Sequence, residues 1–260
     1  MSSINWQEHA ALSVNDQGVA TLMIANAGSL NILGTPVVLA LTEALQSIAQ
    51  RPDIRVVVLR GEGDKAFVAG ADIKEMATFN AAQAEQFIDR LRALCETVRQ
   101  FAIPVIARIP GWCLGGGLEF ALACDLRIGS DHAKLGMPEV KVGIPSIIHA
   151  ALLPRLVGMA RTNWLLLTGE ILDADQALSY GLLDRVVPAA ELDHEIDRVA
   201  TLLAGYGPEV VAQQKRLLRE WQDEPLDVSI RNGVKEFAQA FHTGEPQKYM
   251  GEFVKAKQKR

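Results

Sequence analysis

The sequence predicts an α/β fold that is followed by a helical C-terminal region. Between residues 11 and 129, short apolar runs typical of buried strands alternate with segments whose apolar residues recur every three or four positions. This alternation of strands and helices is typical of α/β proteins. After Leu135 the periodic segments have helical spacing, and one short strand at 184–187 is expected to interrupt them. A length of 260 residues with 49% hydrophobic content suffices for one large domain.

The first half of the chain divides at recognisable turns. Two strands joined at Asp16-Gln17-Gly18 are predicted between residues 11 and 24, and a loop follows at 26–34. Thr35 is expected to cap a helix that has Pro36 at its first position and ends before Pro52. The later elements predicted in this half are a strand at 54–59, a strand and glycine turn at 65–74, a helix at 84–98, and strands at 104–109 and 125–129.

The second half is predicted to be mostly helical. The apolar residues of each segment there recur at helical spacing, and no linker or repeat separates the segments. The predicted helices are 147–157, 164–167, 175–180, 192–203, 209–221, 228–241 and 247–257.

Composition excludes several classes of function. A net charge of −5 argues against a nucleic-acid-binding surface, which normally needs a basic face. The three cysteines have no metal-type spacing and are expected to be reduced, partly buried thiols. No apolar run approaches the ~18 residues of a membrane span, and the N-terminal segment lacks the features of a signal peptide. We therefore expect a cytoplasmic protein that binds neither membrane nor nucleic acid.

Three consecutive glycines, Gly115 to Gly117, open a short run predicted to be helical, and this run contains one carboxylate, Glu119. Glycines let a backbone approach a ligand closely, and the first N–H groups of a helix have no partner within it. Such a segment suits a backbone donor site for an oxyanion. Burying a Glu among apolar side chains raises its pKa, as a general acid or base requires. The alternative is a tight turn with a Glu that stabilises the helix N-terminus.

Glu139, between Pro138 and Val140, is a second candidate carboxylate. A surface glutamate in a turn is the common explanation for such a segment. Two carboxylates in one pocket would instead separate each other's pKa values, so that one holds a proton while the other accepts one. The turn Ala69-Gly70-Ala71-Asp72 is a candidate source of a second backbone N–H, since oxyanion sites commonly take donors from different segments.

Three blocks carry a resemblance to a known family: 65–76, Gly115 to Glu119, and Gly136 to Glu139. In order, spacing and identity they resemble the crotonase superfamily, and within it most closely the enoyl-CoA hydratases. The resemblance covers nearly the whole chain. It implies a spiral of ββα units with a helical C-terminal region, assembled as trimers or pairs of trimers. Residues 1–195 would form the spiral core with the active site, and residues 196–260 the helical trimerisation region.

The resemblance also implies roles for individual residues. The amides of Ala71 and Gly116 would form the oxyanion hole that polarises a thioester carbonyl. Glu119 and Glu139 would flank a water that adds reversibly, in syn fashion, to a trans-2-enoyl-CoA. No cofactor is implied beyond coenzyme A, which carries the acyl substrate.

The family binds coenzyme A along the loop after the second strand and beside the Ala-Gly-Ala-Asp turn. The positions implied to contact substrate or coenzyme A are Asn26, Leu30, Asn31, Lys65, Ala69, Asp72, Ile73, Lys74, Gly115, Pro138 and Phe253. Lys65 and Lys74 are candidates for phosphate contacts, and two solvated surface lysines are the alternative. Phe253 matches an aromatic residue that completes a neighbouring subunit's ligand site, although the basic position three residues later is Ala256.

The chain departs from the hydratase pattern after the second glutamate. Hydratases typically have a glycine-rich turn there, where this chain has Ile147 and Ile148, so the preference for the acyl group is expected to differ. Ser146 either reaches the water or substrate or caps the following helix. His149 is expected to be a packed or partly exposed histidine without a catalytic role. Just before Asn31, many relatives have a basic residue where this chain has Ser29 and Leu30.

Other functions remain open on the sequence alone. Related acyl-CoA chemistry includes double-bond isomerases, thioester hydrolases and decarboxylases. Isomerases often retain only the second carboxylate, so Glu119 counts against that activity. A non-catalytic or RNA-binding role is a further alternative within the superfamily, and the acidic charge balance disfavours RNA.

Overall fold

The computed structural model describes residues 6–258, and its strands form two sheets. The strands are β1 Ala10–Val14, β2 Val19–Ile24, β3 Val56–Arg60, β4 Ala66–Val68, β5 Val105–Ile109, β6 Trp112–Leu114, β7 Leu126–Ser130, β8 Lys134–Gly136, β9 Ile171–Leu172 and β10 Arg185–Val187. The larger sheet has the order β1-β2-β3-β5-β7-β10, and the smaller sheet has the order β4-β6-β8-β9. Only the β1–β2 and β8–β9 pairs are antiparallel among these strands.

Helices connect and cover the sheets. The α-helices are α1 Thr35–Ala49, α2 Ile73–Met76, α3 Ala81–Gln100, α4 Gly116–Leu122, α5 Leu153–Val157, α6 Met159–Thr168, α7 Ala174–Tyr180, α8 Leu192–Ala204, α9 Pro208–Asp223, α10 Leu226–Ala240 and α11 Glu245–Gln258. Two 3-10 helices, Pro138–Val142 and Ile148–Leu152, follow β8. The predicted α/β fold with a helical C-terminal region is confirmed.

Strands β3 to β8 form three successive repeats of the same kind. Each repeat begins with a strand of the larger sheet (β3, β5, β7) and continues with a strand of the smaller sheet (β4, β6, β8). Like strands of successive repeats pair in parallel, and a helical segment follows each repeat. The chain therefore winds as a spiral of ββα units, as the resemblance implied.

Strand β3 shows why the larger sheet is stable. Val57 and Leu59 pack into the main core together with residues of α1 and α3, while Val56 and Val58 face the opposite side and pack with residues of α8. Side chains that alternate along a strand explain this division. Fully burying one such side chain contributes about 1.5–3 kcal/mol. Because both faces are covered, the strand is a continuous apolar run, as is typical of parallel sheets.

Several predicted boundaries are corrected by the structure. The β1–β2 hairpin is confirmed, with Ala10 opposite Ile24. Thr35 is not the cap of α1, since that position is Gly34 and the Thr35 hydroxyl donates to Glu75. The helix expected at 147–157 divides into a 3-10 helix and α5. The short strands β6, β8 and β9 were absent from the prediction because two or three residues give no periodic pattern.

The expected division at residue 195 falls inside α8. Leu192, Ile196 and Val199 of this helix form a core cluster with Val56 and Val58 of the larger sheet. Helix α8 therefore packs against the larger sheet, on the face opposite to the main core.

Helices α9 to α11 expose many apolar side chains. On α10, Leu226, Ile230, Val234 and Phe237 share one face and are all more than half exposed. No helix among residues 6–258 is both long enough and apolar enough to cross a bilayer.

Candidate active site

Three turns meet at one edge of the smaller sheet. They follow β4, β6 and β8, which are parallel neighbours, so their carboxyl ends lie side by side. A Cβ atom built on Gly116 would lie 3.9 Å from the Ala71 amide nitrogen, and one built on Gly115 would lie 2.8 Å from Glu139 Oε1. The three segments singled out in the sequence are thus brought together.

Gly115 has a backbone that other residues rarely adopt, with φ +53° and ψ −126°. Its amide donates to Gly136 O at 2.9 Å, which ties the glycine turn to β8. Its carbonyl accepts from Glu119 N at 3.0 Å and begins α4. The missing side chain leaves room for the carboxylate of Glu139, so a residue with a Cβ would collide with one of the candidate acids.

The amides of Ala71 and Gly116 lie beside each other at this edge. Leu33 holds the Ala71 turn, because its N–H donates to Gly70 O and its carbonyl accepts from Asp72 N. Within residues 6–258, neither the Ala71 N–H nor the Gly116 N–H donates to a protein acceptor. Two unused amide donors from different segments are the arrangement that an oxyanion hole requires.

Glu119 lies on α4 and is only 3% exposed. Its Oε1 accepts from Ala150 N at 2.9 Å. Burial raises the pKa of Glu119 to about 8, with a smaller contribution from repulsion by Glu139, while the Ala150 amide opposes the rise. The alternative, in which Glu119 is a charged residue that only stabilises the N-terminus of α4, therefore does not fit its environment.

Glu139 is the second residue of the 3-10 helix after β8 and is partly exposed. Its Oε2 accepts from the Ser146 hydroxyl at 2.9 Å. Burial raises the pKa of Glu139, while its own backbone and the Ser146 hydroxyl oppose this rise. Ser146 is therefore not a helix cap, since Ile147 occupies that position and makes no side-chain cap bond.

The two carboxyl groups are close enough that the negative charge of Glu139 raises the pKa of Glu119. Repulsion between such groups separates their proton affinities, so the pair passes through a state with one proton. A pair in that state has both a proton donor and a proton acceptor. The site can therefore deliver a proton at one atom and remove a proton at another.

The expected coenzyme A positions divide into exposed and buried groups. Lys65, Ile73 and Lys74 are exposed, and Leu30 and Ala69 are half-buried and joined by a hydrogen bond from Ala69 N to Leu30 O. The Asp72 carboxylate caps α2 by accepting from the amides of Lys74 and Glu75. The structure therefore leaves the two lysines available to a ligand and uses the aspartate locally.

Asn31 is a correction to the expected ligand contacts. Its side chain is fully buried and donates to the carbonyls of Glu62 and Ala66, while its oxygen accepts from Glu62 N. All of its polar atoms are occupied, so its side chain supports the loop and does not face a ligand.

A surface cavity of about 470 Å³ lies beside this loop. Asn26 and Lys65 line it, together with Glu62 and Asp64. Asn26 also donates from its side chain to Glu8 O. Lys65 is the cationic side chain in a lining that includes two carboxylates, so a phosphate there would depend on this lysine.

The remaining positions singled out in the sequence lie on separate elements. Pro138 immediately precedes Glu139 and starts its 3-10 helix. Phe253 is 62% exposed on α11, with the Lys257 ammonium over its ring at 4.7 Å. Ile147 is 41% exposed, while Ile148 packs against the main core.

The cysteines are unpaired and buried, as expected. Burial raises the pKa of Cys95, Cys113 and Cys124, so these thiols stay protonated. Among residues 6–258, no three His, Cys, Asp or Glu side chains are grouped as ligands for a metal ion.

One participant was missed by sequence reasoning. Ala150 contributes through its backbone N–H, and any residue with an amide can do this, so the side chain gives no signal. The positive φ of Ile148 (+41°), which aims this amide, has no signature in the sequence either.

Comparison with known proteins identifies the family of this chain. The sequence matches the family model described as "Enoyl-CoA hydratase/isomerase" over residues 15–260. It is 32% identical to a crotonyl-CoA hydratase of Syntrophomonas wolfei, with 92% of each chain covered. The fold superposes on a crystal structure of enoyl-CoA hydratase from Bacillus anthracis with a TM-score of 0.91 and 31% identity, covering 95% of this chain and 96% of the other. The chain belongs to the enoyl-CoA hydratase/isomerase family.

Proposed function

We propose that this protein is an enoyl-CoA hydratase that adds water reversibly, in syn fashion, to the double bond of trans-2-enoyl-CoA thioesters. The observation that carries the proposal is the pair of interacting carboxyl groups, Glu119 and Glu139, next to two unused backbone amides. An isomerase that moves a proton between two carbons needs only one carboxyl group. The second carboxyl group therefore favours hydration.

In the proposed reaction the amides of Ala71 and Gly116 bind the thioester oxygen. Negative charge develops on this oxygen when water attacks the β-carbon, and two aligned donors there stabilise the transition state by several kcal/mol. The amides are held by the backbone before the substrate arrives, so little reorganisation accompanies the reaction.

Glu119 and Glu139 supply the proton transfers. The water oxygen bonds to the β-carbon while the ionised carboxylate takes a proton from that water. The protonated carboxyl group gives its proton to the α-carbon as the enolate collapses. The pair therefore holds the same number of protons before and after turnover, and coenzyme A serves only as the carrier of the acyl group.

The coenzyme A moiety is proposed to lie along the loop between Asn26 and Leu30 and across the turn from Ala69 to Asp72. Support comes from the cavity beside this loop and from the exposed ammonium groups of Lys65 and Lys74. Gly115 and Pro138 would contact the acyl end, because they adjoin Glu139.

We also propose that the chain assembles as a trimer or a pair of trimers through its C-terminal helices. The exposed apolar face of α10 supports an interface there, since monomeric proteins rarely expose contiguous apolar patches of this kind. Phe253, which is exposed on α11, would complete a ligand site of a neighbouring subunit.

A panel of acyl-CoA thioesters tests the proposed activity. Purified protein is expected to bleach the absorbance of the conjugated thioester when given crotonyl-CoA or longer 2-enoyl-CoAs. A 3-enoyl-CoA should produce no lasting gain of that absorbance. Failure to hydrate any conjugated thioester would remove the hydratase assignment, and steady formation of conjugated product from the 3-enoyl-CoA would indicate an isomerase.

A further inference from the structure

The buried Glu119 carboxylate depends on a single backbone donor. Ala150 N lies 2.9 Å from Glu119 Oε1, and no other protein donor to this carboxylate occurs in the described part of the chain. The same Ala150 N–H also donates to Ile147 O at 3.0 Å, and the amide follows directly from Ile148 and His149, so its direction is set by the backbone of this turn. Whatever holds this segment also holds the candidate acid or base.

The segment has an unfavourable backbone conformation. Ile148 has φ +41°, and the other non-glycine residues with positive φ in residues 6–258 are asparagines, which tolerate it. A β-branched residue in this region is a strained outlier, and strain of this kind persists only where surrounding contacts enforce it. Packing of Ile148 against the main core is one such contact.

His149 provides a second contact. It is 7% exposed, and its Nε2 lies 3.3 Å from Glu96 Oε2 on α3. Its buried Nδ1 has no hydrogen-bond partner among the described residues. A proton on Nδ1 would be a buried donor without an acceptor, so the proton belongs on Nε2, where it is donated to Glu96. Burial lowers the pKa of His149 and favours this neutral form.

The Glu96 side chain is also held in place by neighbouring residues. Glu96 Oε1 accepts from Gln100 Nε2 at 2.6 Å and lies 3.7 Å from Arg99 Nη1. Helix α3 also carries Leu91, whose Cδ2 lies 3.0 Å from the position of a Cβ on Gly116. The same rigid helix therefore supports the glycine turn and the Ile148 turn.

We propose that Glu96 and His149 are positioning residues, which hold the Ile148 turn so that the Ala150 amide donates to Glu119. The proposal rests on the proposed function, in which Glu119 transfers a proton. Neither residue touches the substrate in this arrangement. Their effect passes through the direction of one amide, which stabilises the ionised form of Glu119.

The consequence is a change in the pH dependence of the reaction. If the Ala150 amide turns away, ionised Glu119 loses its hydrogen bond and its pKa rises. Glu139 and the Cys95 thiol are the other titratable groups that face Glu119, while Arg92, Arg99 and Glu96 face His149. The limb of the pH–rate profile that reports Glu119 should therefore move to higher pH.

The test compares truncating and conservative variants in crotonyl-CoA hydration. Glu96→Ala and His149→Ala are expected to lower kcat about 10-fold, the scale for removing a residue that orients a reacting group. KM should change less than about 3-fold. The limb of the pH–rate profile that reports Glu119 should move to higher pH. Glu96→Gln keeps a hydrogen-bond acceptor and His149→Gln keeps a hydrogen-bond donor. Each of these variants should therefore retain most of the wild-type rate. Glu85→Ala, exposed on the same helix, is the matched control.

Each possible result either supports or contradicts the positioning role of Glu96 and His149. The two alanine substitutions should be non-additive, because either one breaks the same contact. A wild-type pH profile in folded Glu96→Ala would overturn the inference, and so would a rate loss with no movement of the limb. Glu96 is partly exposed on α3, so this variant should fold even if His149→Ala does not. If Glu119→Gln were fully active, the proposed role of Glu119 would fail instead, which separates the two claims.

Discussion

Glu119 illustrates how one residue's environment sets its chemistry. Its neighbours on α4 are Leu118 and Phe120, which are both fully buried, and the carboxyl group receives one amide hydrogen bond. Burial outweighs that hydrogen bond, so the pKa rises to about 8. The carboxyl group is therefore protonated in the folded state over a range where it is ionised in the unfolded chain.

This difference predicts a pH-dependent stability. Between about pH 4.3, the pKa of an unfolded Glu, and pH 8, the folded state binds one proton more than the unfolded state, so the free energy of unfolding falls as pH rises. Glu119→Gln removes this contribution. As pH rises across this range, the free energy of unfolding of the variant should therefore increase relative to that of the wild type by up to about 5 kcal/mol, at about 1.4 kcal/mol per pH unit.

Urea denaturation at pH 5 and pH 8 measures the effect. Glu85→Gln, which changes an exposed glutamate, should have the same free energy of unfolding as the wild type at both pH values. Equal pH dependence in Glu119→Gln and the wild type would contradict the raised pKa.

The residues of the candidate site differ in how far sequence could predict them. Glu119 stood out because a carboxyl group among glycines and apolar residues is unusual. Glu139, for which a surface turn is the common explanation, gained weight only from Glu119 and from the family resemblance. Ser146 was ambiguous, since a serine before a helix commonly caps it, and the structure directs its hydroxyl to Glu139. Asn31 was assigned to the ligand, but its amide is used up by backbone groups 31 to 35 residues away, which no local pattern reveals.

At the level of elements, long periodic segments were predictable and short strands were not. The apolar stripe of α3 and the runs of β3 and β5 carry enough residues to show a period. Strands β6 and β8 have three residues each and β9 has two, so no alternation is visible. Together with β4, strands β6 and β8 end at the edge where the three turns meet, and the residues there were recognisable only from their motifs.

One buried lysine contributes to joining helix α9 to the core. Lys215 Nζ donates to Asp125 Oδ2 at 2.6 Å and to Ile103 O at 2.9 Å, and the lysine is 4% exposed. Burial lowers the pKa of Lys215, while Asp125 opposes this. Asp125 also accepts from Val105 N at 2.7 Å, which links the ion pair to the start of β5.

Lys215→Met is expected to destabilise the protein by about 3 kcal/mol, because it leaves the Asp125 carboxylate without its cation. Chemical denaturation measures this change. Lys235→Met, at an exposed position of α10, is the control and should change stability by less than about 0.5 kcal/mol. Adding Asp125→Asn to Lys215→Met should recover part of the loss. A stable Lys215→Met variant would show that the ion pair does not anchor α9.

At the scale of the whole molecule, the apolar face of α10 predicts self-association. Its four exposed side chains recur every three or four residues, so they form one continuous stripe. Phe237→Glu places a charge in this stripe, and it is expected to convert the proposed trimer to smaller species. Light scattering coupled to size exclusion measures the molar mass.

Gln239→Glu makes the same change in charge at an exposed position two residues along α10, outside the stripe. It should leave the assembly intact. A monomeric wild type, or a Phe237→Glu variant with unchanged mass, would contradict an interface on this face.

The central claim is that Glu119 and Glu139 act together on substrate held by the amides of Ala71 and Gly116. The most direct measurement is the turnover of crotonyl-CoA by Glu119→Gln and by Glu139→Gln, together with the Kd of each variant for a saturated acyl-CoA. Each substitution is expected to lower kcat at least ~100-fold, the usual scale for an acid or base group, while the Kd changes little. Near-normal turnover in either variant, or a loss explained wholly by weaker binding, would contradict the account.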